Sequence, residues 1–158
     1  MRIIGIDPGT LVTGYGVIDK DGPRLSFVSA GCIRANSAAP LPQRFARIFK
    51  ELCGVFDRYR PDQMAVEDLF FCKNVKSAIK LGEARGVVML VAAERGIAVF
   101  EYAPRRVKQA VFGRGGAQKR QVQFMVKALL GMDEEPQPTD ASDALALAVC
   151  HAFASRGT

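Results

Sequence analysis

The chain has 158 residues, of which 49% are hydrophobic and 24% charged, and its formal net charge is +6. These values are typical of one globular domain with its own core, and they exclude an intrinsically disordered chain. No apolar run approaches the roughly 18 residues that span a membrane, and no secretory leader pattern follows Met1, so we expect a cytoplasmic protein.

The predicted elements alternate between strands and helices. In chain order, the patterns predict strands over residues 2–7, 13–19 and 24–33, a helix over 40–59, a strand from Met64 that ends in the acid Glu67, a helix over 74–95, a strand over 97–102, and helices over 104–111, 118–130 and 140–154. The first three strands read as an antiparallel meander, with a turn signal at Asp21-Gly22. The later two strands join in parallel through helical crossovers. We therefore predict an α/β fold, a five-stranded mixed sheet with helices on both faces.

Metal-binding cysteine and histidine patterns are missing from the sequence. The four cysteines, Cys32, Cys53, Cys72 and Cys150, lack zinc-type spacing, and His151 is the single histidine. We expect free, packed thiols, and for His151 a packing role or an interaction with the dipole of the last helix.

Basic residues are concentrated in the middle of the chain. From Lys73 to Lys127 there are twelve Lys or Arg residues and three acids, a charge of +9, whereas the remainder carries −3. This asymmetry fits a polyanionic partner, with nucleic acid as the first choice. A solubilising surface is the alternative that charge alone leaves open.

Four acids, hereafter the acid cluster, are predicted to converge: Asp7, Glu67, Asp140 and Asp143. Asp7 and Glu67 end strands whose carboxyl ends border one crevice, and the two others lie three residues apart on one helical face. Such a cluster needs a cation, because like charges oppose one another's ionisation. Its oxygen ligands favour Mg²⁺ or Mn²⁺, and two ions roughly 4 Å apart would clamp a phosphodiester.

Each acid also has a plainer interpretation. Asp7 could initiate the turn that continues with Pro8-Gly9, and Asp140 with Asp143 could cap a helix and favour its dipole. Glu67 interrupts an apolar strand, where an unpaired carboxylate is costly to bury. The combination of the four is stronger evidence than any one of them.

Five motifs in order resemble the RuvC family of bacterial Holliday-junction resolvases over nearly the whole chain. They are GIDPG with TGYGVI, KNVKSAIKLGEARGV, FEYAPRRVKQAV and DASDALALAVCH. The resemblance implies a ribonuclease-H-like fold in one domain over 1–158 and a homodimer. It further implies a structure-selective endonuclease that nicks two symmetry-related strands of a four-way DNA junction, leaving 5′-phosphate and 3′-hydroxyl ends, in recombination and repair. The RuvA–RuvB branch-migration complex is the implied protein partner.

The resemblance makes the acid cluster the catalytic ligands of two Mg²⁺ ions, with Mn²⁺ as a substitute and Asp7 bridging both ions. It places Lys119, as a catalytic residue, and Lys108 near the scissile phosphate. One position departs from the family, since Asp68 stands where relatives often carry Gln. Successive strand residues point to opposite faces, so we expect Asp68 to face solvent.

DNA contacts are expected from residues around these motifs. Phe70 is expected to stack on an unpaired base, unless both it and Phe71 pack inside. Lys73, Lys76 and Lys80 share one helical stripe, for which a solvated face is the alternative. The full set is Phe70, Lys73, Asn74, Lys76, Lys80, Arg105, Lys108, Arg114, Lys119 and Arg120.

Three other functions remain open at this stage. The segment IGIDPGT also resembles the phosphate-binding opening of actin-like ATPases and sugar kinases, although those proteins close two such domains over a nucleotide. A nuclease of the same fold that acts on RNA–DNA hybrids or linear duplexes would use the same acids. A noncatalytic junction-binding module is the third, and retention of all four acids argues against it.

Overall fold

The computed structural model describes residues 1–68 and 74–155. Within these ranges, five strands form one sheet: β1 (Arg2–Asp7), β2 (Val12–Asp21), β3 (Arg24–Arg34), β4 (Gln63–Glu67) and β5 (Ala98–Tyr102). The helices described are α1 (Leu41–Tyr59), α2 (Val75–Glu94), α3 (Pro104–Phe112), α4 (Lys119–Leu130) and α5 (Thr139–Ala154). Each predicted element is present, with ends shifted by two residues or fewer.

The sheet has the mixed topology that the sequence predicts. Its strand order is β3-β2-β1-β4-β5, with β1 antiparallel to β2 and β2 antiparallel to β3. β4 pairs in parallel with both β1 and β5. The meander is possible because Gly22 adopts a positive φ of 53° in the turn between β2 and β3, a conformation that glycine adopts without strain. The parallel pairs bring the carboxyl ends of β1, β4 and β5 to one edge.

Helices cover both faces of the sheet and divide the core in two. One core packs α3, α4 and α5 against residues such as Ile3 and Ile18, and the other packs α1 and α2 against residues such as Ile4 and Ile6. Neighbouring residues of β1 thus supply opposite faces, as strand geometry requires. The two-faced α/β prediction is confirmed.

Helix α5 lies directly on the sheet because three glycines face it. A Cβ atom built on Gly5 would overlap the carbonyl oxygen of Ala144, and one on Gly14 would overlap the carbonyl oxygen of Asp140. Gly16 likewise leaves no room for a methyl group beside the backbone of α5. The absence of side chains at these positions therefore sets the height of α5 above β1 and β2.

His151 is a packed core residue. Its Nδ1 lies 2.7 Å from the Tyr102 hydroxyl and its Nε2 lies 2.7 Å from Gln63 Oε1, while its ring stacks on Phe100 at 4.3 Å between centroids. The amide oxygen can only accept, so Nε2 carries the proton and Nδ1 accepts from the Tyr102 hydroxyl. Burial, followed by the nearby charge of Lys20, lowers the pKa of His151, so the neutral ring is favoured.

Two further expectations concern cysteines and membranes. Cys32, Cys53 and Cys150 are unpaired thiols, whereas Cys72 lies outside the described residues. Burial raises the pKa of Cys150 to about 11, so it stays protonated. None of the described helices is both long and apolar enough to cross a bilayer.

Candidate metal and nucleic-acid site

The acid cluster forms at the carboxyl edge of the parallel strands. Asp7 and Glu67 are the last residues of β1 and β4 and follow the paired residues Ile6 and Val66. Both carboxylates line a cavity of about 360 Å³ together with Asp143 from α5. Strand pairing and the close approach of α5 thus bring together residues that are 60 and 76 positions apart in the chain.

Two lysines complete the polar wall of this cavity, Lys108 from α3 and Lys119 from the start of α4. Lys119 Nζ lies 2.6 Å from Asp143 Oδ2 and forms an ion pair with it. Burial acts to lower the pKa of Lys119, but the hydrogen bond and the charge of Asp143 outweigh it and raise that pKa. Lys119 therefore stays positive and offsets part of the negative charge of the cluster.

The three carboxyl groups of the cavity are harder to ionise than free carboxyl groups, since all three have raised pKa values. Burial, followed by the charges of Asp143, Glu67 and Asp140, raises the pKa of Asp7 to about 7, although Lys119 acts in the opposite direction. Burial is also the main cause that raises the pKa values of Glu67 and Asp143. A bound cation would lower these pKa values again, so the electrostatics favour a positive ligand here.

The donor set fits a hard cation. The cluster offers carboxylate oxygens, which Mg²⁺ and Mn²⁺ prefer, and none of its members is a thiol or an imidazole. As the side chains lie, no three acid, histidine or cysteine groups among residues 1–68 and 74–155 are close enough to hold one ion. In this arrangement Lys119 Nζ lies beside Asp143 Oδ2, an oxygen that a metal would use.

Asp140 lies at the margin of the cluster rather than in the cavity wall. It is in the first turn of α5, and its backbone carbonyl lies against Gly14, the residue that pairs with Asp7 across β1 and β2. Its charge nevertheless acts on Asp7 and Asp143. The structure therefore brings three predicted acids together and holds the fourth beside them.

The predicted DNA contacts occupy several places. Lys76 and Lys80 are exposed on α2, and Asn74 caps that helix, with its side-chain oxygen accepting from the backbone N–H groups of Lys76 and Ser77 at 3.0 and 3.3 Å. Such a cap fixes the first turn of α2. Phe70 and Lys73 lie outside the described residues.

The arginines lie along the α3–α4 connection. Arg105 packs against Gly115, and Arg114 places its guanidinium 5.7 Å from the ring centroid of Phe112. Arg120 is exposed in the first turn of α4. Each of these three arginines lies within five residues, along the chain, of Lys108 or Lys119, the two basic residues of the cavity.

Asp68 is partly buried rather than fully solvated, and its backbone N–H donates to the Tyr102 carbonyl at 2.9 Å. It is not among the described residues that line the cavity. Asp68 is therefore less exposed than the expected solvent-facing position, and it does not join the acids in the cavity wall.

Sequence reasoning missed two features of the site. Gly14 and Gly16 lie two residues apart on one face of β2, and glycines placed in this way indicate that another backbone approaches closely. The sequence pattern alone could therefore have predicted the contact with α5. The other feature is Arg85 of α2, whose Nε donates to the backbone carbonyl of Glu67 at 3.3 Å and which pairs with Glu101. No local pattern distinguishes Arg85 from the other basic residues of the central segment.

Comparison with known proteins places the chain in a family. The model of "Crossover junction endodeoxyribonuclease RuvC" matches residues 3–151. Proteins of that name from Pelotomaculum thermopropionicum and Geotalea uraniireducens are 49% and 52% identical, over 96% and 98% of this chain and 93% and 90% of theirs. The structure of Thermus thermophilus RuvC in complex with Holliday junction substrate superposes with a TM-score of 0.92 at 38% identity, covering 98% of this chain and 94% of that one. The chain belongs to the RuvC family of crossover junction endodeoxyribonucleases.

Proposed function

We propose that this protein resolves Holliday junctions by paired, symmetric nicks that leave 5′-phosphate and 3′-hydroxyl ends, in DNA recombination and repair. One observation carries the proposal: three acids from β1, β4 and α5 share one cavity with two lysines, in a fold that matches a junction-bound RuvC over 98% of the chain. On this proposal, residues 1–158 act as a single nuclease domain.

The acid cluster is the proposed metal site, for two Mg²⁺ ions with Mn²⁺ as a substitute. Asp7, Glu67, Asp140 and Asp143 would be the ligands, because carboxylate oxygens suit hard cations. The raised pKa values of Asp7, Glu67 and Asp143 also favour a positive ligand. Bound ions of this kind activate water and stabilise the leaving oxygen in phosphodiester hydrolysis.

The lysines of the cavity have a proposed role of their own. Lys119, paired with Asp143 at 2.6 Å, and Lys108 are within the same cavity as the acids, so a scissile phosphate placed there meets both positive charges. Charge that develops on the phosphate oxygens would be stabilised by these side chains. Lys119 also offsets the negative charge of Asp143 when no metal ion is bound.

Exposed basic side chains of α2, α3, α4 and the α3–α4 connection are the proposed DNA-binding surface. Lys76, Lys80, Arg105, Arg114 and Arg120 are exposed. They contact the phosphate backbone in this proposal, as does the side-chain amide nitrogen of Asn74. Lys73 and the base-stacking Phe70 belong to the same proposal. Contacts of this kind make binding fall steeply with salt concentration.

A homodimer is the proposed assembly. Helix α2 exposes three large apolar side chains, with 72% of Val75, 57% of Ile79 and 52% of Leu90 accessible. Exposed apolar side chains grouped on one element suit a contact with a second copy. A two-fold dimer matches a junction whose two cut strands are related by a two-fold axis. Cooperation with RuvA–RuvB is proposed from family membership.

A parallel cleavage assay tests the proposal. The protein is incubated with Mg²⁺ and a mobile four-way junction, a linear duplex or an RNA–DNA hybrid of matched sequence, with chelator controls. We expect symmetric nicks in the junction alone. Cutting of the hybrid would favour the other nuclease function, and tight junction binding with no cutting would favour a noncatalytic module. Protection from thermal unfolding by ATP would favour the ATPase alternative.

A further inference from the structure

Arg85 is an unusual residue for the outer layer of the fold. It lies in the middle of α2, yet only 16% of its side chain is exposed. A guanidinium is expensive to bury unless charged and polar partners surround it. Its partners therefore indicate what the burial achieves.

Those partners lie on two adjacent parallel strands. Arg85 Nε donates to the carbonyl oxygen of Glu67, the last residue of β4, at 3.3 Å. Its Nη2 forms an ion pair with Glu101 of β5. Among the described residues Nη2 has no hydrogen-bond partner, so this pair acts through Coulombic attraction. One side chain thus links α2, β4 and β5 at the edge where the acid cluster lies.

The contact completes the support of one peptide unit. The Asp68 N–H that follows Glu67 donates to the Tyr102 carbonyl of β5 at 2.9 Å. The carbonyl of the same peptide unit accepts from Arg85 on the other side. Both polar groups of the Glu67–Asp68 peptide are therefore held just where β4 ends.

We propose that Arg85 is a positioning residue that sets the direction of the Glu67 carboxylate by holding the peptide unit after it. Strand pairing at Val66 and Glu67 holds the peptide plane before Glu67, so holding the plane after it as well fixes the Cα–Cβ direction of Glu67, which must meet Asp7 across β1 and β4. Partners that orient metal ligands in this way affect metal affinity and rate by about 10- to 100-fold. The inference rests on the proposed metal role of Glu67.

Arg95 provides a matched control. It terminates the same helix, 23% of its side chain is exposed, and its Nη2 lies 2.9 Å from Asp57 Oδ1. It also donates to a backbone carbonyl, that of Cys53, at 3.4 Å. Arg95 therefore makes the same two kinds of contact as Arg85, but it ties α2 to α1 instead of to β4 and β5.

The experiment compares Arg85→Gln with Arg95→Gln. It measures the single-turnover rate of junction cleavage, the junction Kd in chelator, and Mn²⁺ affinity by calorimetry, at a temperature where thermal scans report both variants folded. For Arg85→Gln we expect the rate and the Mn²⁺ affinity to fall about 10- to 100-fold with an unchanged junction Kd. For Arg95→Gln we expect all three to match the wild type.

The outcomes separate this inference from the proposed function. Wild-type rate and Mn²⁺ affinity in Arg85→Gln, or equal losses in both variants, would overturn the positioning role and leave the nuclease proposal standing. A wild-type protein that cuts no junction would overturn the proposed function, and the Mn²⁺ titration would still decide the positioning role. Should Arg85→Gln unfold, Arg85→Lys serves instead. It keeps the charge opposite Glu101 but has a single nitrogen, so it should show the same losses.

Discussion

Replacing Asp7 with Asn should stabilise the metal-free protein, because the wild-type carboxylate is ionised against its surroundings. Its pKa is raised from 3.8 to about 7, first by burial and then by Asp143, Glu67 and Asp140. The folded state therefore binds more protons than the unfolded chain between these values. The penalty is absent well below pH 3.8, grows through that window and is complete above pH 7.

The size of the effect follows from the gap between the two pKa values. Three units at about 1.4 kcal/mol each give an upper limit near 4 kcal/mol, and partial exposure of Asp7 reduces this to about 2–4 kcal/mol. Asn has nearly the same shape and no charge, so Asp7→Asn should melt about 4–16 °C higher than the wild type at pH 8. At pH 5 the gain should shrink by more than half, since folded Asp7 is then mostly protonated.

The assay is thermal unfolding in chelator across pH 4–8, followed by the same series with Mg²⁺. Mg²⁺ should raise the melting temperature of the wild type far more than that of Asp7→Asn, because a bound ion removes the penalty only where the carboxylate is present. Asp133→Asn, at an exposed aspartate outside the cluster, is the control and should melt like the wild type. A lower melting temperature for Asp7→Asn at pH 8 without metal would refute the electrostatic reasoning.

Further predictions concern the backbone, the junction and salt. Gly5→Ala should lose about 3 kcal/mol of stability or more, because the added methyl group would overlap the Ala144 carbonyl oxygen. Gly54→Ala, where the position on α1 faces open space, should gain about 0.5–1 kcal/mol, and denaturant titration of the two variants checks both values. Asp7→Asn should abolish junction cutting in a gel assay while binding stays measurable, and wild-type cutting would contradict the metal-site proposal. Phe70→Ala should lose cutting with a modest loss of affinity, and unchanged cutting would remove the stacking role. Junction affinity measured between 50 and 200 mM salt should fall steeply, and a flat response would contradict the phosphate contacts.

The sequence predicted those parts of the fold that depend on local patterns. Strand ends at Asp7 and Glu67 follow from apolar runs that stop at an acid, and parallel pairing then makes the two residues neighbours. Asp143 could be placed near them because it shares a helical face with Asp140 and the family motif is continuous there. The mixed sheet followed from the meander and the crossovers.

Features made by long-range side-chain contacts were beyond such reasoning. The pairing of Lys119 with Asp143 and that of Arg85 with Glu101 depend on where α4 and α2 come to lie, which no periodicity specifies. The position of Asp140 at the margin of the cavity depends on the exact height of its helix turn over Gly14. A pattern of acids predicts that the charges meet, but it does not predict which of them face the same space.

The glycine contact between α5 and the sheet has a mechanical consequence. Side chains in a core can change rotamer and absorb a mutation, but two backbones in contact have nothing between them that can yield. The distance from α5 to β1 therefore resists change, and the position of Asp143, which α5 carries, is held with it. Heating, or core substitutions that loosen the packing, should therefore unfold the protein before they change the distances between the acids. The missing Cβ atoms of Gly5, Gly14 and Gly16 thus help to fix where Asp143 lies relative to Asp7.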